Sequence, residues 1–460
     1  MKKLFLVLAA AVLMAAPAFA AVQNVKVSGD IDSTYLNRQN FDLGYKNGSG
    51  IKEGLASQSV FFTQTRLRVD ADLSDNVSTT VRLLNERAWG ASSTSSIDLN
   101  LAYVTMREFL YSPLTMTIGL QELSFGNGLV VGNGTNNATT GTMASIAADL
   151  GKNTAFDGIK AVLDYKPLTI DLVYAKLVGN HTSGALVNGD VNKTDSNLYG
   201  INANYQLGDS MNTVVEGYFW AKKDGNSPSF STTNKMNEVF VPGLRVSTNP
   251  IKGLNTQAEI AWQKGRVGNG NGLAGTSANR TREAMAAQLL ASYAIPVAQL
   301  EKYKPVVSGS YTYVSGAKNV GGADTGKTYK GWDPMFEGQG SGTIYNTLFN
   351  LTNLNIFNVG LQVNPIQDVT ASISWSDLFL ANKTADLNLI QPDGSSSSVA
   401  SAVTTNKKSL GNEIDMNVNY NYTEDVLFGV NLGWFIPGNT FAKSNNSVAS
   451  QAVAHVNVNF

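Results

Sequence analysis

The sequence predicts an all-β protein: a single transmembrane antiparallel β-barrel of about 18 strands, with short turns at one end and long loops at the other. Three observations predict it. A removable leader opens the chain, strand-length segments carry one apolar and one ionic face, and the connections alternate between short and long. Composition narrows the field first. Of 460 residues, 43% are hydrophobic and only 15% charged, against about 25% charged in ordinary soluble proteins. There is no cysteine, and the two histidines are His181 and His455. Disulfides, a cysteine nucleophile and a multi-histidine metal site are therefore excluded. Lys and Arg total 34 against 35 Asp and Glu, which is not the basic excess of a nucleic-acid binder.

At the N terminus, Lys2 and Lys3 form a basic start and Leu4 to Ala16 is apolar. Pro17 breaks the run, and Ala18-Phe19-Ala20 has the small-residue pattern of a cleavage site. Residues 1–20 read as a secretory signal peptide cut after Ala20, with 21–460 as one barrel domain. Loss of the two lysines leaves 32 basic against 35 acidic residues. Beyond Ala20 no stretch approaches the ~20 consecutive apolar residues of a spanning helix. The other structure that satisfies its backbone inside a bilayer is a closed barrel.

Successive strand side chains point to opposite faces. Phe61, Thr63, Thr65, Leu67, Val69, Ala71 and Leu73 share one face, and Phe62, Gln64, Arg66, Arg68, Asp70 and Asp72 the other. The split recurs with Val25, Val27, Gly29 and Ile31 against Lys26, Ser28, Asp30 and Asp32. It recurs again at Ile97 to Tyr103, and at Ile414 to Tyr420 against Glu413, Asp415, Asn417 and Asn419. A soluble sandwich with one wet face shares this pattern, so the connections decide. Short ones fall at 74–76, 112–113, 166–167, 208–210, 249–253, 296–305, 364–368 and 423–425, most with turn residues. Longer polar stretches lie between them, near 39–57, 87–96, 126–156, 178–196, 223–236, 265–282, 315–350, 381–409 and 436–446. Eight short and nine long connections join 18 strands with both termini at the short-turn end, the plan of outer-membrane barrels.

The last strand carries Ala452, Ala454, Val456, Val458 and Phe460 on one face, and Val453, His455, Asn457 and Asn459 on the other. Tyr35, Tyr103, Tyr165, Tyr205, Tyr293, Trp375 and Tyr420 fall on outward faces near strand ends, where an interfacial girdle belongs. The chain resembles outer-membrane barrels in ending on an aromatic, Phe460, which implies reading by the barrel-assembly machinery.

The ionic faces are assigned inward, because Lys or Arg at a bilayer midplane costs ~2–4 kcal/mol. The expected pore-lining set is Lys26, Asp30, Asp32, Arg66, Arg68, Asp70, Asp72, Arg82, Glu86, Asp98, Lys160, Asp164, Glu216, Arg245, Glu259, Glu413 and Asp415, with Asp171 and Lys222 beside them. Opposite charges are expected to pair across neighbouring strands. Arg66, Arg68, Arg82 and Glu86, clustered on two adjacent strands, are expected to set the field at the narrowest section. Residues 127–155, rich in Gly, Asn, Thr and Ala, make an unusually long loop. It is expected to fold into the lumen, the alternative being an exposed cap, with Met143 to Leu150 as a short helix. No catalytic residue, cofactor or metal is expected. Alternation accounts for Asp30/Asp32 and Asp70/Asp72, neither histidine has an evident partner, and Gly268 to Gly272 reads as a flexible loop, not a phosphate cradle.

Several segments resemble the alginate-export family of outer-membrane porins. Phe156-Asp157-Gly158-Ile159-Lys160 is similar to that family's FDG element. Leu101-Ala102-Tyr103-Val104 and Ile118 to Gly126 are similar to its AYV and GRQ-x-L-x-YG elements, with Leu120 where the family often has Arg. Trp332 to Phe336 resembles its FDPLF loop motif. Leu410 to Asp415, Tyr422, Asp425-Val426 and Phe435 to Gly438 resemble its C-terminal pattern. The resemblance implies a monomeric 18-stranded barrel in the Gram-negative outer membrane. It does not imply alginate. The family's exporter lines its pore with arginines, whereas the inward faces here hold seven positive against twelve negative charges. The expectation is a non-enzymatic channel for passive or facilitated diffusion of small hydrophilic solutes and ions, with the lipid bilayer as partner. Two alternatives stay open: a dedicated exporter or importer of a saccharide or polymer, and a structural or adhesive envelope barrel.

Overall fold

Eighteen antiparallel strands close the chain on itself as a barrel. The computed structural model describes residues 24–44, 57–90, 96–135, 147–178, 196–224, 237–267, 280–317, 328–339, 342–383, 388–390, 396–398, 407–443 and 445–460. The proposed signal peptide and Gly268 to Gly272 lie outside them. The strands are β1 (Asn24–Gln39), β2 (Gln58–Ser74), β3 (Val77–Ala88), β4 (Ile97–Met106), β5 (Leu114–Gln121), β6 (Phe156–Asp164), β7 (Leu168–Val178), β8 (Ser196–Gln206), β9 (Val214–Asp224), β10 (Asn237–Ile251), β11 (Leu254–Val267), β12 (Arg280–Ala294), β13 (Val306–Val314), β14 (Thr328–Tyr329), β15 (Leu354–Ile366), β16 (Val369–Leu380), β17 (Asn388–Ile390), β18 (Ser396–Ser398), β19 (Ser409–Asn421), β20 (Val426–Pro437) and β21 (Ala449–Asn459). β14, β17 and β18 stand outside the wall. Each other strand pairs with its successor, and β21 returns to β1 from Asp30↔Asn459 to Gln39↔Ser450. Closure leaves no open edge for lipid to meet. The short and long connections alternate as the sequence predicts.

The two-residue period holds around the wall. Val25, Val27, Ile31, Phe61 and Leu67 are exposed on the outer face, while Thr34, Arg38 and Gln64 are buried on the inner one. Tyr165, Tyr205, Trp375 and Tyr420 are exposed as a girdle requires, and Tyr35 packs on Phe61, which stacks on Trp89.

Tyr103 departs from its expected place. The β3–β4 pairing shifts between Arg82↔Leu101 and Leu83↔Leu99, leaving Asn100 as an extra residue. A one-residue bulge exchanges the faces of everything after it. Leu101 is thereby buried, and Tyr103, opposite inward Thr80, points into the lumen.

The inner face departs as well. In the long-loop half it is apolar: Leu198, Trp220, Val239, Val241, Leu378 and Phe435 are buried there. They pack in one cluster with Val130, Val131, Trp332, Ile344 and Leu348, which come from loops. An inner wall covered by protein is a core and follows core rules, so the continuous ionic inner face predicted from alternation holds in the short-turn half, and the charges of the long-loop half are those that hold the loops. The Trp220 ring packs on Gly200 of the adjacent strand, where an added Cβ would sit 1.9 Å from a ring atom. Gly200→Ala is expected to push Trp220 off Phe125, whose ring centroid is 4.7 Å away. The cost is about 1–3 kcal/mol, read as a lower temperature of heat-induced mobility change for the detergent-folded barrel.

Candidate functional site

Two loops enter the barrel and are joined inside it. After β5, the Phe125 N–H donates to the Val131 carbonyl at 3.1 Å, turning the chain back on itself. The Gly132 N–H then donates to the Phe336 carbonyl at 2.6 Å, the Phe336 N–H to Val130 at 3.1 Å, and the Gly338 N–H to Gly128 at 2.8 Å. The loop preceding β6 is thus bridged to the loop preceding β15, Val131 beside Phe336. Gly132, Gly134 and Gly338 let the two backbones meet directly, which accounts for the small-residue run seen in the sequence.

The first loop is pinned to the wall at several points. Asp149 forms an ion pair with the buried Arg38 of β1 and accepts from the Thr347 hydroxyl at 3.2 Å. Gln64 donates to the Leu150 carbonyl at 3.1 Å, Asn133 to Glu122 at 2.9 Å, and Lys152 lies 3.4 Å from Asp98. Residues 127–135 and 147–155 therefore sit inside the barrel. The helix expected over Met143 to Leu150 is one 3-10 turn at Ala148–Leu150, and Met143 to Ile146 lie outside the described residues.

The second loop is held by two anchors. Lys222 of β9 lies 3.0 Å from both carboxylate oxygens of Asp333, and Arg282 of β12 lies 3.7 Å from one of them. The Gln263 side chain clamps the Asp333 backbone, donating to its carbonyl at 2.7 Å and accepting from its N–H at 2.8 Å. Burial pushes the Asp333 carboxyl up, but the Lys222 and Arg282 cations outweigh it and hold the group below the usual carboxylate value. The other anchor is Glu413 of β19. It accepts from the N–H groups of Thr343, Ile344 and Tyr345 at 2.6, 2.9 and 2.6 Å, at the start of helix α1 (Tyr345–Leu348). The neighbouring Asp415 accepts from the Thr343 hydroxyl at 2.5 Å.

Below the loops the wall is ionic. Arg66 pairs with Asp30 directly across from it at 2.7 Å. Arg68 and Arg82 face each other in register, a like-charge contact. It is relieved by Asp70, 2.8 Å from Arg68 on its own strand, and by Glu122 and Asn100 at Arg82. Roughly half the circumference away, Arg245 of β10 stands in register between Glu216 and Glu259. It pairs with Glu216 at 2.9 Å, while Glu259 accepts from the Tyr218 hydroxyl at 2.6 Å. Lys160 lies 3.4 Å from Asp171. Glu86 takes the Gln64 amide at 2.9 Å. Lys26 stands opposite Asp70, and Asp72 and Asp164 lie at the short-turn end. Asp32 is 3.1 Å from His455, so this histidine does have a partner.

A model of the family described as alginate export matches residues 24–455. The chain belongs to the alginate-export family. No curated protein matches it. Solved structures from Pseudomonas aeruginosa share the fold. OpdK, determined with vanillate, superposes with a TM-score of 0.57 at 10% identity, over 95% of this chain and 99% of that one. OccK2 (OpdF), in complex with glucuronate, gives 0.55 at 10% over 95% and 98%. OccD3 (OpdP) gives 0.54 at 10% over 96% and 93%. This alginate-export barrel is a porin-like protein of the Gram-negative outer membrane.

Within this alginate-export barrel, not all the expected lining charges meet water. Glu86, Glu216, Glu259, Glu413 and Asp415 are buried beneath the loops. Arg66, Arg68 and Asp70 keep 25%, 38% and 34% of their side chains exposed. Of the buried acids, Glu413 and Asp415 seat the second loop, whereas Glu86, Glu216 and Glu259 are taken up by Gln64, Arg245 and Tyr218 of the wall. Arg38, Arg280, Arg282 and Glu122 complete the inner network and were not expected. Arg280 and Arg282, both buried and flanking Tyr329, alternate at the start of β12, a stretch that reads as loop from its composition. The signal for the second in-folded loop was the apolar set Ile344, Leu348, Phe349 and Leu351 within a nominally outer segment.

Proposed function

We propose that this alginate-export barrel is an outer-membrane channel through which small hydrophilic solutes and ions diffuse past two joined, in-folded loops. The observation that carries the reading is the Arg66–Arg68–Arg82 track with its partners Asp30, Asp70 and Glu122. It stays solvent-facing beside the loops, while the Glu216–Arg245–Glu259 row and the Glu413–Asp415 pair are covered. The track lays a field along the remaining passage, and a field at a narrow section sorts solutes by charge and dipole. The family membership and the porin fold support the reading; the route involves no chemical reaction.

Planar-bilayer recordings across a salt gradient test it. The wild type is expected to conduct. Arg68→Gln combined with Arg82→Gln removes two inner cations and leaves Asp70 and Glu122 in place, so the cation-to-anion permeability ratio is expected to rise several-fold, read from the reversal potential. Absence of conductance would sink the channel and favour an envelope barrel. An unchanged reversal potential in the double variant would move the selective section elsewhere.

A further inference from the structure

Under the first loop, at the seam where β1 meets β21, lies a pocket of about 240 Å³ that the loop anchors and the arginine track leave unused. That volume is just under the ~300–1,000 Å³ of small-molecule sites, which suits one ring and not a chain. Its polar wall is built from Asp32, Gln64, Asn417, Asn431 and His455, and its apolar side from Phe62, Leu150 and Val453. We propose that this pocket is a subsite for a neutral polyhydroxylated solute, a single sugar ring, and that it disfavours carboxylates. The proposal rests on the channel reading for its place on a solute path, and on its own geometry for its chemistry.

Three features argue for it. The pocket is fixed in shape. Asp32 accepts from the Thr34 hydroxyl at 2.6 Å and lies 3.1 Å from His455 Nδ1, which orients the imidazole. That ring occupies the space beside Gly429, where a Cβ would fall 1.9 Å from Nε2, so only glycine leaves the imidazole its position. Next, the polar wall is incomplete. Asn431 donates to Asn417 at 2.6 Å, yet its own Oδ1 is buried with no partner. An acceptor left unanswered in a water-poor place carries a desolvation cost, which a ligand hydroxyl would remove once the Asn431 amide turns that oxygen toward the pocket. Finally, the pocket offers an anion no free partner, because His455 is already held by Asp32. Among the residues lining the pocket the titratable ones are Asp32 and His455. Arg66, the next inward residue after Gln64 on β2, is held by Asp30 at 2.7 Å and by the Gln64 side-chain Oε1 at 3.4 Å. Amides and a carboxylate hydrogen-bond hydroxyls in both directions, the apolar side accepts the C–H face of a ring, and an anionic ligand meets Asp32 with no uncommitted cation.

Galactose and galacturonate test this, because they differ only in a hydroxymethyl against a carboxylate. Binding is measured on the full barrel folded in detergent, by saturation-transfer NMR and calorimetry, beside bilayer conductance of the same preparation. Galactose is expected to bind saturably and galacturonate at least tenfold more weakly. Asn431→Leu is expected to weaken galactose roughly tenfold, and Asp32→Asn to narrow the discrimination against galacturonate. Should Asn431→Leu fail to fold by heat-dependent mobility, Thr34→Val carries the same readout. Equal or tighter binding of galacturonate overturns the proposal, as does an unchanged galactose affinity in the folded variant. Conductance without galactose binding overturns the pocket and leaves the channel. Binding without conductance does the reverse.

Discussion

Glu413→Ala is expected to release the second loop, raise single-channel conductance and destabilise the barrel by roughly 3 kcal/mol or more. The first turn of a helix has N–H groups with no partner inside the helix, and here the Glu413 carboxylate supplies the acceptors for Thr343, Ile344 and Tyr345. Truncation leaves three buried donors unpaired, each worth about 1–3 kcal/mol. The apolar residues seated by that turn, Ile344, Leu348 and Phe349, lose their fixed approach to Leu378 and Phe435. Glu413→Gln retains one acceptor oxygen and is expected to fall between wild type and Ala. Bilayer conductance and protease cutting within 342–353 read the effect. Wild-type conductance together with full protection would falsify the role of Glu413 as the loop's anchor.

Asp333→Asn is expected to unlatch the same loop at its other end. The substitution removes the carboxylate from Lys222 and from the buried Arg282. Breaking a buried pair from one side costs about 3–5 kcal/mol, because the remaining charge stays desolvated. The pH dependence follows from the direction of the Asp333 shift. Its folded value lies below the ordinary carboxylate value, so its contribution is complete above that ordinary value and fades as pH falls through the lowered one. The wild-type loop should therefore stay latched through mild acid and open only below about pH 4. Asp333→Asn should show the open conductance already at pH 7. A conductance titration from pH 7 to 3 on both proteins checks this, and a wild type that opens near neutrality would contradict the assignment.

How far the site was legible depends on the range of the contacts that build it. Asp30 and Arg66 could be placed opposite each other because a face and a turn fix the register of neighbouring strands. Arg68 and Asp70 could be placed on the inner face, but not recognised as partners along one strand. Tyr103 was misplaced because the single extra residue at Asn100 leaves no compositional trace. The small-residue loop after β5 announced that it was unusual. The loop before β15 did not, since its polar flanks outweighed Ile344, Leu348 and Phe349 in a reading by composition.

The sequence by itself determined that the chain alternates faces, alternates shorter with longer connections and carries its charges away from lipid. Each of these is written in a two-residue period or a local turn. Only the tertiary structure decided which charges stay wet. Arg38 with Asp149, Lys222 with Asp333 and Thr343 with Asp415 join residues 72 to 111 positions apart. Such pairs form because loop closure brings distant segments into one low-dielectric space, where a charge must find a partner, and no local pattern records which partner that is.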